Sequence, residues 1–268
     1  MVHLPQCLWE CIGSFLLNRD VPHLLLACPS AWREKPHMPV VWNGKMDCPP
    51  SASNPVHTLL FTGLPQHAWG EWGKFKVRIH QLCTASMPGL VHVDLSNTLV
   101  KSLKPLRHCV QLRSVKCEFT PVYSLAGLEW CPELREIRCR FTNVCALTPL
   151  RQCPELAYVD CSHTKVNSLL PLLHCPQLLH MCADHTHVRS LSGLEKCVDL
   201  RVVSCRMWQP HIHDLSPLHS RALEVLDLTI ESPVDDVPVT SLECLGECPA
   251  LHTLRLLGHR LSCVTPLL

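Results

Sequence analysis

Apolar residues in this chain follow two rhythms in turn, and the pair of rhythms recurs. From Leu112 to Asp199 the sequence divides into LRSVKCEFTPVYSLAGLEWCPE, LREIRCRFTNVCALTPLRQCPE, LAYVDCSHTKVNSLLPLLHCPQ and LLHMCADHTHVRSLSGLEKCVD, each 22 residues long. Leu112, Leu134, Leu156 and Leu178 therefore stand in register, as do Cys131, Cys153, Cys175 and Cys197. The shared pattern is LxxVxCxxTxVxxLxxLxxCP. Its opening alternates apolar and polar (Val115 with Cys117, Ile137 with Cys139, Val159 with Cys161), which predicts a short strand with one buried face. After the threonine, Val122, Leu125, Leu128 and Cys131 lie three apart, which predicts a 3₁₀-like or irregular return arm. A single unit cannot bury both edges, so the units must stack around a common core.

The array reaches beyond these four units. Residues 90–111 form a regular unit before them. After them LRVVSCRMWQPHIHDLSPLHSRA gains one residue and puts Trp208 in the place of the threonine. The next unit, from Leu223, gains six, mostly as the acidic stretch ESPVDD, and insertions of this kind usually protrude. The last, from Leu251, stops within its return arm. The expectation is that a partner covers this end or that the chain is a truncated product. Residues 56–89 read as a degenerate first repeat, in which VHTLLF matches the strand and a longer return carries Trp69 and Trp72. Residues 36–55, with prolines at 36, 39, 49, 50 and 55, read as a linker in which VVWNGK could be a short strand.

The repeat resembles the leucine-rich repeats, LxxLxLxxNxL, and most closely their short class, seen in internalins and in a regulatory subunit of type-1 protein phosphatase. That resemblance implies an α/β fold class: a leucine-rich-repeat solenoid with a parallel sheet on the concave side and 3₁₀ or irregular arms on the convex side. One position departs from the family. The asparagine of the turn is replaced by Thr98, Thr120, Thr142, Thr164 and Thr186. A hydroxyl spans fewer backbone groups than an amide, so a threonine ladder somewhat less well tied than an asparagine ladder is expected.

Residues 1–35 have a different character. Leu8, Ile12, Phe15 and Leu16 follow helical spacing, and Asp20-Val21-Pro22 reads as the start of a second helix. The stretch resembles an F-box, LPxxLLxxIFxYLxxxDLxxLxxVCxxW. Leu4, Pro5, Leu8, Ile12, Phe15, Leu16, Asp20, Val21, Leu24 and Cys28 fall at its spacing, whereas Gly13 replaces an aromatic and Trp32 comes one place late. The resemblance implies that these residues dock a Skp-type adaptor of a cullin ubiquitin ligase. The alternative is a helical cap that covers the open end of the solenoid. The domain reading is thus 1–35 helical and F-box-like, 36–55 linker, and 56–268 repeats.

Composition narrows the classes. With 47% hydrophobic and 18% charged residues the chain is a folded one, and a net charge near +1 gives no reason to expect nucleic acid or an acidic membrane as partner. No uncharged apolar run approaches the length of a membrane span, and the opening residues lack a basic stretch and include Glu10, which argues against a secretory signal. Nineteen cysteines are an odd count, and most sit at core positions of the repeat. Buried free thiols in a reducing compartment are the leading reading, with disulfides or metal as the alternatives. CADHTH and HIH hold metal-ligand residue types without a CxxC partner, and no catalytic motif is present, so neither an enzyme nor a cofactor is expected. A cytoplasmic location follows from the thiols, and the nucleus, also reducing, is compatible with them.

Side chains alternate across a strand, so positions 3, 5 and 7 of each unit should face away from the core. Position 8 should contribute at the strand edge. The candidate partner-binding residues on this concave face are Lys116, Arg138, Arg140, Phe141, Tyr158, Asp160, His180 and Arg206. An arginine–aromatic mixture of this kind is the composition of interface hot spots. The plainer reading is a solvated face with ordinary cross-strand pairing, such as Arg138 beside Asp160. Mixed charge signs favour a protein or peptide ligand. The resulting expectation is a non-catalytic substrate receptor of a cullin-type ligase, or alternatively a phosphatase-regulator-like scaffold.

Overall fold

The computed structural model describes residues 89–207, 212–231 and 242–261, together with the short strands Val40–Val41, Thr58–Leu60 and Pro238–Val239. The alternating part of each unit is a three-residue strand. In chain order the strands are β1 (Val40–Val41), β2 (Thr58–Leu60), β3 (His92–Asp94), β4 (Ser114–Lys116), β5 (Glu136–Arg138), β6 (Tyr158–Asp160), β7 (His180–Cys182), β8 (Val202–Ser204) and β9 (Val225–Asp227). They are followed by β10 (Pro238–Val239), β11 (Thr253–Arg255) and β12 (Arg260–Leu261). Ten of them form one sheet in the order β1 to β9 and then β11, with every pairing parallel. The sequence register is the structural register: Ser114 pairs with Glu136, Glu136 with Tyr158, and Tyr158 with His180. β10 and β12 pair apart from this sheet, after the extra residues of the unit from Leu223, and the repeat pattern carries no sign of them.

The chain returns through 3₁₀ turns at Lys104–His108, Leu128–Trp130, Thr148–Gln152, Leu170–His174 and Glu243–Glu247. Pro105, Pro149 and Pro171 open three of these turns, where a fixed φ is an advantage. Gly127 holds the same place in its unit but at φ 112°, so its turn starts later, and its N–H donates to Glu129 Oε2 at 2.6 Å. Among the described residues no arm is an α-helix. The helical part of the α/β expectation falls on residues 1–35, outside the described residues, as do most of the linker and of the degenerate first repeat.

The core is a set of columns, one for each apolar position of the repeat. Leu112, Leu134, Leu156 and Leu178 stack as one column, Val115, Ile137, Val159 and Met181 as another, and all are fully buried. The described cysteines are free and, apart from Cys145, Cys182 and Cys244, buried. Those at position 20 do more than fill space. Cys131, Cys153 and Cys175 donate S–H to Leu106 O, Leu128 O and Leu150 O of the preceding unit at 3.6, 3.4 and 3.4 Å.

The turn threonines depart from expectation. Thr98, Thr120, Thr142, Thr164 and Thr186 donate their hydroxyls to the carbonyl three residues back in the same unit, at 2.6–2.8 Å. They close their own turn and do not form a ladder. Side-chain acceptors for the next unit's backbone N–H groups sit two residues earlier, at position 7, where Ser96 Oγ accepts from Glu118 N–H, Ser162 Oγ from Asp184 N–H, and Asp184 Oδ1 from Arg206 N–H. A hydroxyl is too short to reach the next unit from the threonine site, while a serine or aspartate at the strand end already lies beside it.

Candidate protein-interaction face

Strands of period two put positions 3, 5 and 7 on the open side of the sheet, and the side chains there form a connected cluster around β5 and β6. Arg138 lies over the Tyr158 ring, with Cζ 4.6 Å from the ring centroid, and Tyr158 leans against His180 at 5.7 Å. Arg140 lies 5.7 Å from the Phe141 centroid. Five of the candidate residues (Arg138, Arg140, Phe141, Tyr158 and His180) are thus brought together, with Lys116 beside Arg138 on the neighbouring strand.

The ion pairing differs from the simple cross-strand expectation. Arg138 and Asp160 are register partners, yet Arg138 donates from Nε to Glu136 on its own strand at 2.6 Å. Asp160 is instead the partner of Arg140, at 3.6 Å, and is itself buried with Oδ1 accepting the Ser162 N–H. Glu136 is held below the ordinary carboxylate range: burial opposes this, but hydrogen bonds from Ser114 and Arg138 outweigh it. Glu118 moves the other way, raised first by burial and then by the nearby Asp160. Arg206, also a candidate, is held on Asp184 by Nε and Nη2 at 2.9 and 2.7 Å, so its fork is occupied.

Position 8 is at the strand edge at Met207, which bridges Ile230, but in five other units it is a tight turn. Asn97, Phe119, Phe141, His163 and His185 all have φ between 53° and 60°, the left-handed conformation of a tight turn. The repeated turn sets each ring face to face with the next. Phe119, Phe141, His163 and His185 consequently stack with centroid separations of 4.7, 4.0 and 4.5 Å. At the far end His185 Nε2 lies 3.4 Å from Glu231, the first residue of the acidic insertion. The row was readable from the repeat, but the positive φ that builds the stack was not.

Leu4, Pro5, Leu8, Ile12, Phe15, Leu16, Asp20, Val21 and Leu24, the candidate adaptor-docking residues, lie outside the described residues. Among the described residues there is no group of three or more histidine, cysteine or acidic side chains placed to hold a metal ion, and no helix long and apolar enough to cross a membrane.

No protein-family model and no curated protein matches the sequence. Solved structures do match in shape. Internalin inlF of Listeria monocytogenes is 16% identical with a TM-score of 0.54, over 72% of this chain and 63% of that one. A leucine-rich repeat protein of Leptospira interrogans is 12% identical with a TM-score of 0.54, over 89% of this chain and 71% of that one. TLR13, in a complex with ssRNA13, is 13% identical with a TM-score of 0.53, over 70% of this chain and 29% of that one. The chain spans less than two thirds of the internalins it matches, 62% of inlC2 and 63% of inlF. With the parallel sheet and the 3₁₀ arms, these likenesses identify the fold as a leucine-rich-repeat solenoid.

Proposed function

We propose that this chain is a non-catalytic protein-interaction scaffold that holds a partner segment across the open face of its sheet. The observation that carries the reading is the arginine–aromatic cluster of Arg138, Arg140, Phe141, Tyr158 and His180, assembled on rigid, register-locked strands. Rings that back guanidinium groups on a fixed backbone lose little freedom on binding, which is what an interface anchor requires.

Its finer form is a substrate receptor of a cullin-type ubiquitin ligase. In that reading the Leu4–Leu24 residues dock a Skp-type adaptor while the sheet holds a protein substrate. Support comes from the F-box spacing of the N-terminal residues alone. The free cysteines suit the reducing cytoplasm or nucleus in which such ligases work. The test is purification of the tagged protein from its own cells under reducing conditions, followed by mass spectrometry, beside a Leu8→Ala, Ile12→Ala variant. Recovery of an adaptor and a cullin that disappears in the variant establishes the receptor. An adaptor-free eluate from both overturns it and leaves a scaffold whose N-terminal residues act as a cap.

A further inference from the structure

The arginines on the open face are not equally engaged. Arg206 uses Nε and Nη2 on Asp184, and Arg255 turns Nη1 to Asp227 at 3.4 Å. Arg138 makes a hydrogen bond only through Nε, and Arg140 meets its partner only as an ion pair. The first donates to Glu136 at 2.6 Å, and the second faces Asp160 at 3.6 Å, slightly too long for a hydrogen bond. Among the described residues the terminal amino groups of both have no hydrogen-bond partner. Their side chains are 36% and 41% exposed, so these donors are open to a ligand.

Both arginines stand on one face of the β5 segment, two residues and therefore about 7 Å apart. Each guanidinium is backed by a ring, and Arg138 is in addition tethered at Nε to Glu136, which restricts both to few rotamers. Lys116 is the register neighbour of Arg138 and has no carboxylate within ion-pair distance among the described residues. Glu118, Glu136 and Asp160 are interleaved with the three cations, so the cluster carries no net charge. A polyanion would meet these carboxylates, whereas a single carboxylate needs only the two forks.

We propose that Arg138 and Arg140, with Lys116 beside them, form the receptor for an aspartate or glutamate side chain in the partner's extended segment. The inference rests on the reading of the open face as a protein-binding surface and names the chemistry that surface selects. Fork-to-carboxylate pairing supplies direction and register, and the Tyr158–His180 pair beside it takes an apolar neighbour of the acidic residue.

A display library of random peptides of about twelve residues, whose extended length of about 40 Å is enough to cross the sheet, tests this on the full chain. The expected result is an enriched pool that shares an aspartate or glutamate. Arg138→Gln and Arg140→Gln should each weaken those peptides about tenfold, as for loss of a charge-assisted hydrogen bond, with the melting temperature lowered by less than in Arg206→Gln. Arg206→Gln, the control, should lower the melting temperature and leave peptide affinity within about twofold, because its fork serves Asp184. A pool without acidic bias that survives both arginine substitutions but is lost in Tyr158→Asp overturns the inference and leaves the surface reading standing. No enrichment at all overturns both.

Discussion

Arg206 holds Asp184 through three N–H groups, its backbone N–H on Oδ1 at 3.0 Å and its guanidinium on Oδ2 at 2.7 and 2.9 Å, and Ser204 adds a hydroxyl at 2.6 Å. The contact joins neighbouring units. Burial alone would raise the Asp184 pKa, but these hydrogen bonds outweigh it and bring it below its ordinary value of 3.8. A folded pKa below the unfolded one means stability that is present above the ordinary aspartate range and is lost as pH falls through the folded value. Asp184→Asn should therefore lower unfolding free energy by about 2–3 kcal/mol at neutral pH, with the difference from the parent closing below about pH 4. Urea titrations of both proteins at a series of pH values check it. A pH-independent difference would show that shape, and not charge, carries the contact.

His163 has a different dependence. Its pKa is lowered from 6.5, first by burial and then by the neighbouring His185. The folded state thus prefers the neutral ring, and the stability it contributes is present above 6.5 and declines as pH falls below that value, until the folded pKa is passed. Phe119 and Phe141 already occupy the same left-handed position, so His163→Phe extends the stack without a new backbone demand. The variant should be equal to or about 0.5–1 kcal/mol more stable than the parent at neutral pH. Its advantage should grow between pH 6.5 and 5, as followed by thermal melts. A shrinking advantage on acidification would contradict the assignment.

The 22-residue register made the sheet, its pairing and its outward rows legible, because a strand of period two leaves no choice of face once the leucine and cysteine columns are placed. It did not reveal how side chains within a row choose partners. Arg138 takes Glu136 on its own strand over Asp160 beside it, a choice made by rotamer and by the Tyr158 ring below the guanidinium. The threonines depart from the pattern for a related reason. A repeated residue suggests a ladder, yet Thr142 Oγ1 finds the Cys139 carbonyl 2.7 Å away in its own turn and stops there. The adaptor-docking reading rests on spacing within residues 4–28, and no described contact bears on it.

Gly127 is a position where the fold requires the absence of a side chain. Its φ is 112°, and a Cβ there would meet the Leu103 carbonyl oxygen at 2.5 Å and the Lys104 Cα at 2.8 Å, both backbone atoms of the preceding unit. Gly127→Ala should cost about 2–4 kcal/mol through conformational strain and displacement of the adjoining arm. Ala126→Gly, next to it, should cost less than about 1 kcal/mol. Denaturation midpoints of the two variants decide the point. Near-equal losses would mean that the arms slide freely past one another.

Cys153 links two arms. Leu128 O accepts the Cys131 N–H at 3.0 Å, which closes its own turn, and the Cys153 S–H of the next unit at 3.4 Å. Burial, followed by the neighbouring Cys175 and Cys131, pushes the Cys153 thiol up to about 12. At pH 8 roughly one molecule in ten thousand then carries the thiolate at this site, and only the thiolate is alkylated. Cys145, earlier in the same unit, is exposed. Brief treatment of the native protein with iodoacetamide, followed by peptide mapping, should label Cys145 and leave Cys131, Cys153 and Cys175 unmodified until denaturant is added. Labelling of Cys153 at the rate of Cys145 without denaturant would show the arms opening independently of the sheet. It would also assign the column a dynamic role in place of the structural one argued from its hydrogen bonds.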